Sequence, residues 1–192
     1  MAGKKKITIK SKQQKKKRWY NIVASPEFKS VSIGETPALA PENLEGRKFK
    51  VNMMTLTRDM KKQSFVITFK VKEVKGNDAI TEFMQYEMSG VHVKRVVKKG
   101  KDKVDDSFVV KTKDDVNVRV KPLLITRNKV QHSVKTTLRA ETKVFIEKVA
   151  KEKDFFQFAS SVLGTELQKT MKGTLKKVYP LSFVEIRVFK RL

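Results

Sequence analysis

The sequence predicts an α+β fold: a mainly antiparallel, barrel-like sheet, two or three packed helices in the C-terminal half, and a returning C-terminal strand. Three observations carry this. From Gly46 onward, apolar and charged residues alternate with period two. After about residue 134 the apolar spacing becomes that of a helix. The final segment, "LSFVEIRVFKRL", is β-branched again with apolar residues on both faces, which puts it inside a sheet and not at its edge. Strands first, helices next and a strand last tie the chain into one sheet, so residues 18–192 are expected to form a single domain.

The elements follow in order. Residues 1–17 are mostly Lys, Gln and Ser with few apolar side chains, too few to order in isolation, and read as a flexible basic arm. "RWYNIVA" (18–24) is a first strand, ended by the turn-forming "SPEF". "SIGETPALAPENLEG" (32–46) carries Gly34, Pro37, Pro41 and Gly46 and reads as a long loop with one helical turn after Pro41. In "RKFKVNM", Phe49, Val51 and Met53 alternate with Lys48, Lys50 and Asn52. In "QSFVITFKVKEV", Phe65, Ile67, Phe69 and Val71 line one face with Lys70 and Lys72 on the other. "KGND" turns the chain into "AITEFMQYEM", the second arm of a hairpin.

Residues 89–103 read both ways: their β-branched content suggests a strand, while Val93, Val96 and Val97 would share a helical face. Another hairpin follows, two β-rich arms around "KTKDD". Leu138, Phe145, Ile146 and Val149 then fall at helical spacing, and "DFFQFASSVLG" is a short apolar helix stopped at Gly164. Leu167, Met171, Leu175 and Val178 form a stripe with Thr165 as N-cap and Pro180 as terminator.

Composition narrows the function. Lys and Arg number 44 against 20 acids, a net charge of +24. Self-repulsion at that level destabilises a free compact chain, whereas a polyanionic partner relieves it, and nucleic acid is the usual one. A membrane surface would call for a basic helix with a bulky apolar face, which the N-terminal run lacks. The absence of Cys excludes disulfides and thiolate chemistry. No stretch approaches the ~18 apolar residues of a membrane span, and the N-terminus has no signal-peptide core, so an intracellular, cytoplasmic chain without a membrane partner is expected.

Chemistry is thinly represented. His92 and His132 each sit beside basic residues and read as phosphate contacts or solvated side chains. The pairs Asp105 and Asp106, and Asp114 and Asp115, are the one candidate for a two-metal nuclease, but both flank β-rich arms where turns favour Asp. The Gly residues are too scattered for a phosphate-cradling loop. We therefore expect no catalytic residue, no metal site and no cofactor.

The candidate RNA-binding residues are cationic. In the arm they are Lys4, Lys5, Lys6, Lys10, Lys12, Lys15, Lys16, Lys17 and Arg18, with no interspersed acid. In the body they are Arg47, Lys94, Arg95, Lys98, Lys99, Arg127, Lys129 and Arg139, chosen for clustering and for loop or helix-end placement. Charge spread this widely suits a protein embedded in folded RNA; no zinc site, zipper or RNA-recognition aromatic motif is legible. At the junction of arm and body, Trp19 and Tyr20 point to opposite faces of a strand. A core position for Trp19 is favoured over stacking on a base.

Four segments then match one family in order and spacing: "KKRWYNIVASPEF", "IGETPA", "LEGRKFKVNMMTLTRD" and "VYPLSFVEIRVFKRL". They resemble the small-subunit ribosomal protein 3Ae family of archaea and eukaryotes, over residues 16–192. The length resembles that of the archaeal form, and the resemblance implies a chain lacking the extra C-terminal segment of eukaryotic relatives. The resemblance implies a non-catalytic structural component of the small ribosomal subunit, built on a β-barrel-like core with packed helices. It implies a place on the platform near the messenger exit, with small-subunit ribosomal RNA, neighbouring ribosomal proteins and messenger RNA at the exit as partners. A free architectural nucleic-acid-binding protein or RNA chaperone is the alternative, and a metal-dependent nuclease using the Asp pairs a more distant third.

Overall fold

The structure is a computed structural model that describes residues 16–28 and 30–192. Of the arm, Lys4, Lys5, Lys6, Lys10, Lys12 and Lys15 lie outside the described residues. The chain runs β1 (Arg18–Val23), β2 (Ser32–Ala38), β3 (Lys48–Asn52), α1 (Met53–Thr57), β4 (Phe65–Lys75), β5 (Asp78–Met88), α2 (Gly90–Val96) and β6 (Lys103–Asp105). It continues through β7 (Phe108–Lys111), β8 (Asn117–Thr126), α3 (His132–Glu152), α4 (Phe155–Leu163), α5 (Glu166–Leu175) and β9 (Leu181–Arg191). The class is α+β, as the alternating and helical segments predict.

All nine strands belong to one sheet, antiparallel except where β1 runs parallel to β5. β4 pairs β5 along one edge; the other edge is shared by β1 at Asn21 to Val23 and by β9 at Val188 to Lys190. β8 likewise pairs β9 along one edge and splits the other between β7 and β6. The C-terminal strand therefore lies between β5 and β8, inside the sheet as its two apolar faces predict. Among the described residues no ladder joins β2 or β3 to β6 or β7, so the sheet is open where a barrel-like closure was expected.

The segment read as a long loop forms β2, which pairs antiparallel with β1. Its Gly and Pro content hides a strand because Pro37 lacks a ladder donor, a defect tolerated at the edge position β2 occupies. The helical turn after Pro41 is present as a 3-10 turn, Pro41–Leu44. Residues 89–103, left open by their pattern, form helix α2 and a connection after it, with only Lys103 in a strand, at the start of β6. Thr165 occupies the N-cap position of α5 without capping it. Side-chain capping goes with extended backbone, and Thr165 has a φ of 63°. Val178 falls beyond the end of α5 and is exposed, leaving Leu167, Met171 and Leu175 as the buried stripe.

Two clusters hold the sheet. In the larger, α3, α4 and α5 bury Leu138, Ile146, Phe158, Val162 and Met171 together with Phe69, Phe83, Leu124, Ile186 and Phe189. Phe189 is central, its ring edge-on to Phe158 at 5.2 Å and stacked against Phe155 at 5.8 Å. Simple alternation would put Phe189 on the face opposite Val184 and Ile186. A bulge reverses this: Pro122 pairs Ile186 while Lys121 pairs Val188, so Arg187 is the extra residue. Beyond it the facing parity flips, and Phe189 joins the same cluster as Ile186. The smaller cluster is Tyr20, Ala38, Leu44, Val71 and Ala79.

That smaller cluster corrects the reading of Trp19 as a core residue. Tyr20 is opposite Thr36 and is buried; Trp19, opposite Pro37, is 64% exposed. Neighbours in a strand cannot both face the core, and a one-residue difference in register decides which does.

Candidate nucleic-acid interface

Two connections far apart in sequence meet at Asp102. One runs from α2 to β6 and carries Lys98, Lys99 and Lys101; the other runs from β8 to α3 and carries Arg127 and Lys129. The β6–β8 ladder brings them side by side, with Lys103 opposite Ile125. Thr126 then closes the junction: its amide donates to the Asp102 carbonyl at 3.0 Å, and its Oγ1 accepts from the Asp102 amide at 3.0 Å. The Asp102 carboxylate accepts the Val130 amide at 2.9 Å and lies 3.5 Å from Lys135 Nζ in the first turn of α3. The Val130 hydrogen bond, followed by Lys135 and Lys129, holds this carboxyl below its ordinary value. The ionised acid is thus a staple beneath a group of cations.

The predicted residues on these connections and their flanking helices are exposed: Lys94 and Arg95 in the last turn of α2, Lys98 and Lys99 just beyond, Arg127 and Lys129 before α3, and Arg139 one turn past Lys135. Cations at the end of α2 also complement its dipole, so part of their placement is structural. Arg47 lies elsewhere, between β2 and β3, and its guanidinium is partly committed, donating to Thr36 Oγ1 at 3.0 Å. Lys16, Lys17 and Arg18 are exposed at the start of β1, and Arg18 is opposite Ala38 on the strand that carries Thr36. Near Arg47, Lys48 directly faces Lys70 across the β3–β4 ladder. Like charges opposed in this way repel, although Glu82 and Arg191 continue the same row on the far side of Lys70.

Among the described residues, none of these predicted cations forms an ion pair with a carboxylate. The acids are occupied differently. Asp105 pairs with Lys103 at 3.4 Å and Arg187 at 3.2 Å, and Asp106 accepts the Ser107 amide. Asp114 accepts the Phe155 amide, and Asp115 pairs with Lys111 at 2.7 Å. No group of three His, Asp or Glu able to hold a metal occurs among the described residues. His132 is exposed at the start of α3. His92 departs from expectation: it is half-buried between Phe65 and Phe183 with Ser64 Oγ at 3.1 Å, a packing histidine.

A family model described as the Ribosomal S3Ae family matches residues 4–192. The chain belongs to the Ribosomal S3Ae family. The small ribosomal subunit protein eS1 of Nanoarchaeum equitans is 35% identical to it over 91% of this chain and 88% of the relative. The proteins of the same name from Haloarcula marismortui and Methanobrevibacter smithii are 32% and 34% identical, over 92% and 90% of this chain and 83% and 89% of their own. The S3Ae family is one of ribosomal structural proteins and not of enzymes.

In this S3Ae member the segments that carried the resemblance hold the frame: Trp19 and Tyr20 open β1, "LEGRKFKVNMMTLTRD" contributes β3 and α1, and "VYPLSFVEIRVFKRL" supplies β9. Lys101, Lys135 and the acid Asp102 were missed by sequence reasoning. Lys135 had a usable signal, since it precedes Arg139 by four residues on one helix face. Asp102 had none, because an acid between two lysines looks like any solvated charge.

Proposed function

We propose that this chain is a structural constituent of the small ribosomal subunit, binding small-subunit ribosomal RNA on the platform near the messenger exit. The observation that carries the RNA contact is the set of exposed cations without carboxylate partners, among the described residues, on the two connections that Asp102 ties together and on the helices flanking them. The names of the relatives support the ribosomal setting. Residues 1–17 act as an RNA-binding arm on a single α+β domain, residues 18–192. Lys98, Lys99, Arg127, Lys129 and Arg139, with Lys94 and Arg95, contact phosphates from one region; Lys16, Lys17, Arg18 and Arg47 do so from another. Neighbouring ribosomal proteins flank it and messenger RNA passes nearby, in the cytoplasm on the ribosome. No described helix is long and apolar enough to cross a membrane.

Sedimentation of a native extract through sucrose at rising salt, following this chain by antibody, tests the reading. A ribosomal constituent travels with the small subunit and resists moderate salt. A free binder making about eight phosphate contacts would instead lose affinity with a log–log salt slope of about −6 to −7. Release at low salt, or sedimentation with DNA, would replace the ribosomal role by that of a free nucleic-acid-binding module.

A further inference from the structure

We propose that Trp19 is a stacking platform for an unpaired base of the bound RNA. The inference rests on the RNA-binding reading and goes beyond it, because phosphate contacts alone make no use of an aromatic ring. Trp19 is 64% exposed while its neighbour Tyr20 is 3% exposed, so the strand's core anchor is already supplied. Leaving the largest side chain of the chain in water gives up the stabilisation its burial would bring. On its face of the sheet, the β1–β2 register places Pro37 directly opposite, with the exposed Leu39 just beyond β2. β5 begins pairing with β1 only at Asn21, so among the described residues no ladder covers the other side of Trp19.

Charge selects the occupant. Exposed Lys16, Lys17 and Arg18 lead directly into Trp19, after a run in which Lys and Arg are not offset by any acid. Cations that hold a phosphate backbone beside an exposed ring form the pattern that binds single-stranded nucleic acid, with the base on the ring face. An apolar protein partner would find little beyond Pro37 and Leu39 on this face and would have to desolvate the adjoining cations.

Trp19 is the only Trp, so emission excited on the long-wavelength side of tyrosine absorption reports on it alone. Titration with a small-subunit ribosomal RNA transcript should quench that emission. Dextran sulfate, a polyanion without bases, should bind and leave it unquenched. Trp19→Leu should weaken RNA binding on the order of tenfold without changing affinity for dextran sulfate, and Trp19→Phe should keep most of the RNA affinity. Unchanged emission while a filter assay shows RNA bound overturns the stacking proposal and leaves the RNA-binding reading standing. Failure of the filter assay to retain RNA overturns both. Equal quenching by dextran sulfate, or an emission shift seen only when other small-subunit proteins are added, also overturns it and points to charge or to a protein interface.

Discussion

Replacing Glu185 by Gln should stabilise the protein at pH 8 and leave its stability nearly unchanged at pH 4. Glu185 lies in β9, where the Gln168 side-chain amide of α5 donates to its Oε1 at 2.7 Å. Among the described residues no Lys or Arg pairs with it, and its charge helps raise the pKa of the nearby buried Tyr86 phenol. Burial pushes the carboxyl from its ordinary value near 4.5 up to about 7, against the lowering effect of Gln168 and the Ile186 amide. Below both values Glu185 is protonated folded and unfolded alike. Between them the unfolded chain gives up its proton while the folded chain keeps it, so stability falls as pH rises. At about 1.4 kcal/mol per unit of difference between the two values, the full penalty above pH 7 is roughly 3 kcal/mol. The substituted amide would be neutral at every pH and could still accept from Gln168, so E185Q should recover most of that amount. For a chain of this size that is roughly 6–12 °C in Tm. Urea unfolding of both proteins from pH 4 to pH 8 measures it, and the difference between them cancels every other titrating group. A difference that stays flat across that range would refute the reasoning.

Removing residues 1–17 should weaken RNA binding and flatten its salt dependence by about 0.7–0.9 for each phosphate that the arm had neutralised, while leaving the Tm of the body nearly unchanged; a collapse of the folded state would show the arm to be part of the domain. Asp102→Asn makes the RNA-binding region more positive yet loosens the two connections that meet there, so gel-shift titration should show weaker binding to small-subunit RNA; tighter binding would mean that charge alone matters. Phe189→Ala removes the ring between Phe155 and Phe158 and should cost about 3–5 kcal/mol in a denaturant titration; a decrease below about 1 kcal/mol would mean the site collapses around the gap.

Whatever depends on a residue and its near neighbours could be read along the chain. Alternation within one strand marked β3 and β4, turn residues between β-rich arms marked β5 and β8, and helical spacing marked α3 and α5, because each reports on a single element and its near neighbours. The excess of unneutralised cations was equally legible, and the ordered motifs led to the family. Whatever depends on which elements meet was settled by tertiary packing. β2 is a strand only because β1 pairs with it. Trp19 faces water because Tyr20 has Leu44, Val71 and Ala79 to pack with. Phe189 reaches the core because Pro122, on another strand, sits beside a bulge at Arg187. The cations of the two connections lie side by side because β6 pairs with β8 and Asp102 bonds Val130, 28 residues away. A local period carries no information about a partner so distant in the chain; only closing the sheet ladder between β6 and β8 brings those charges together.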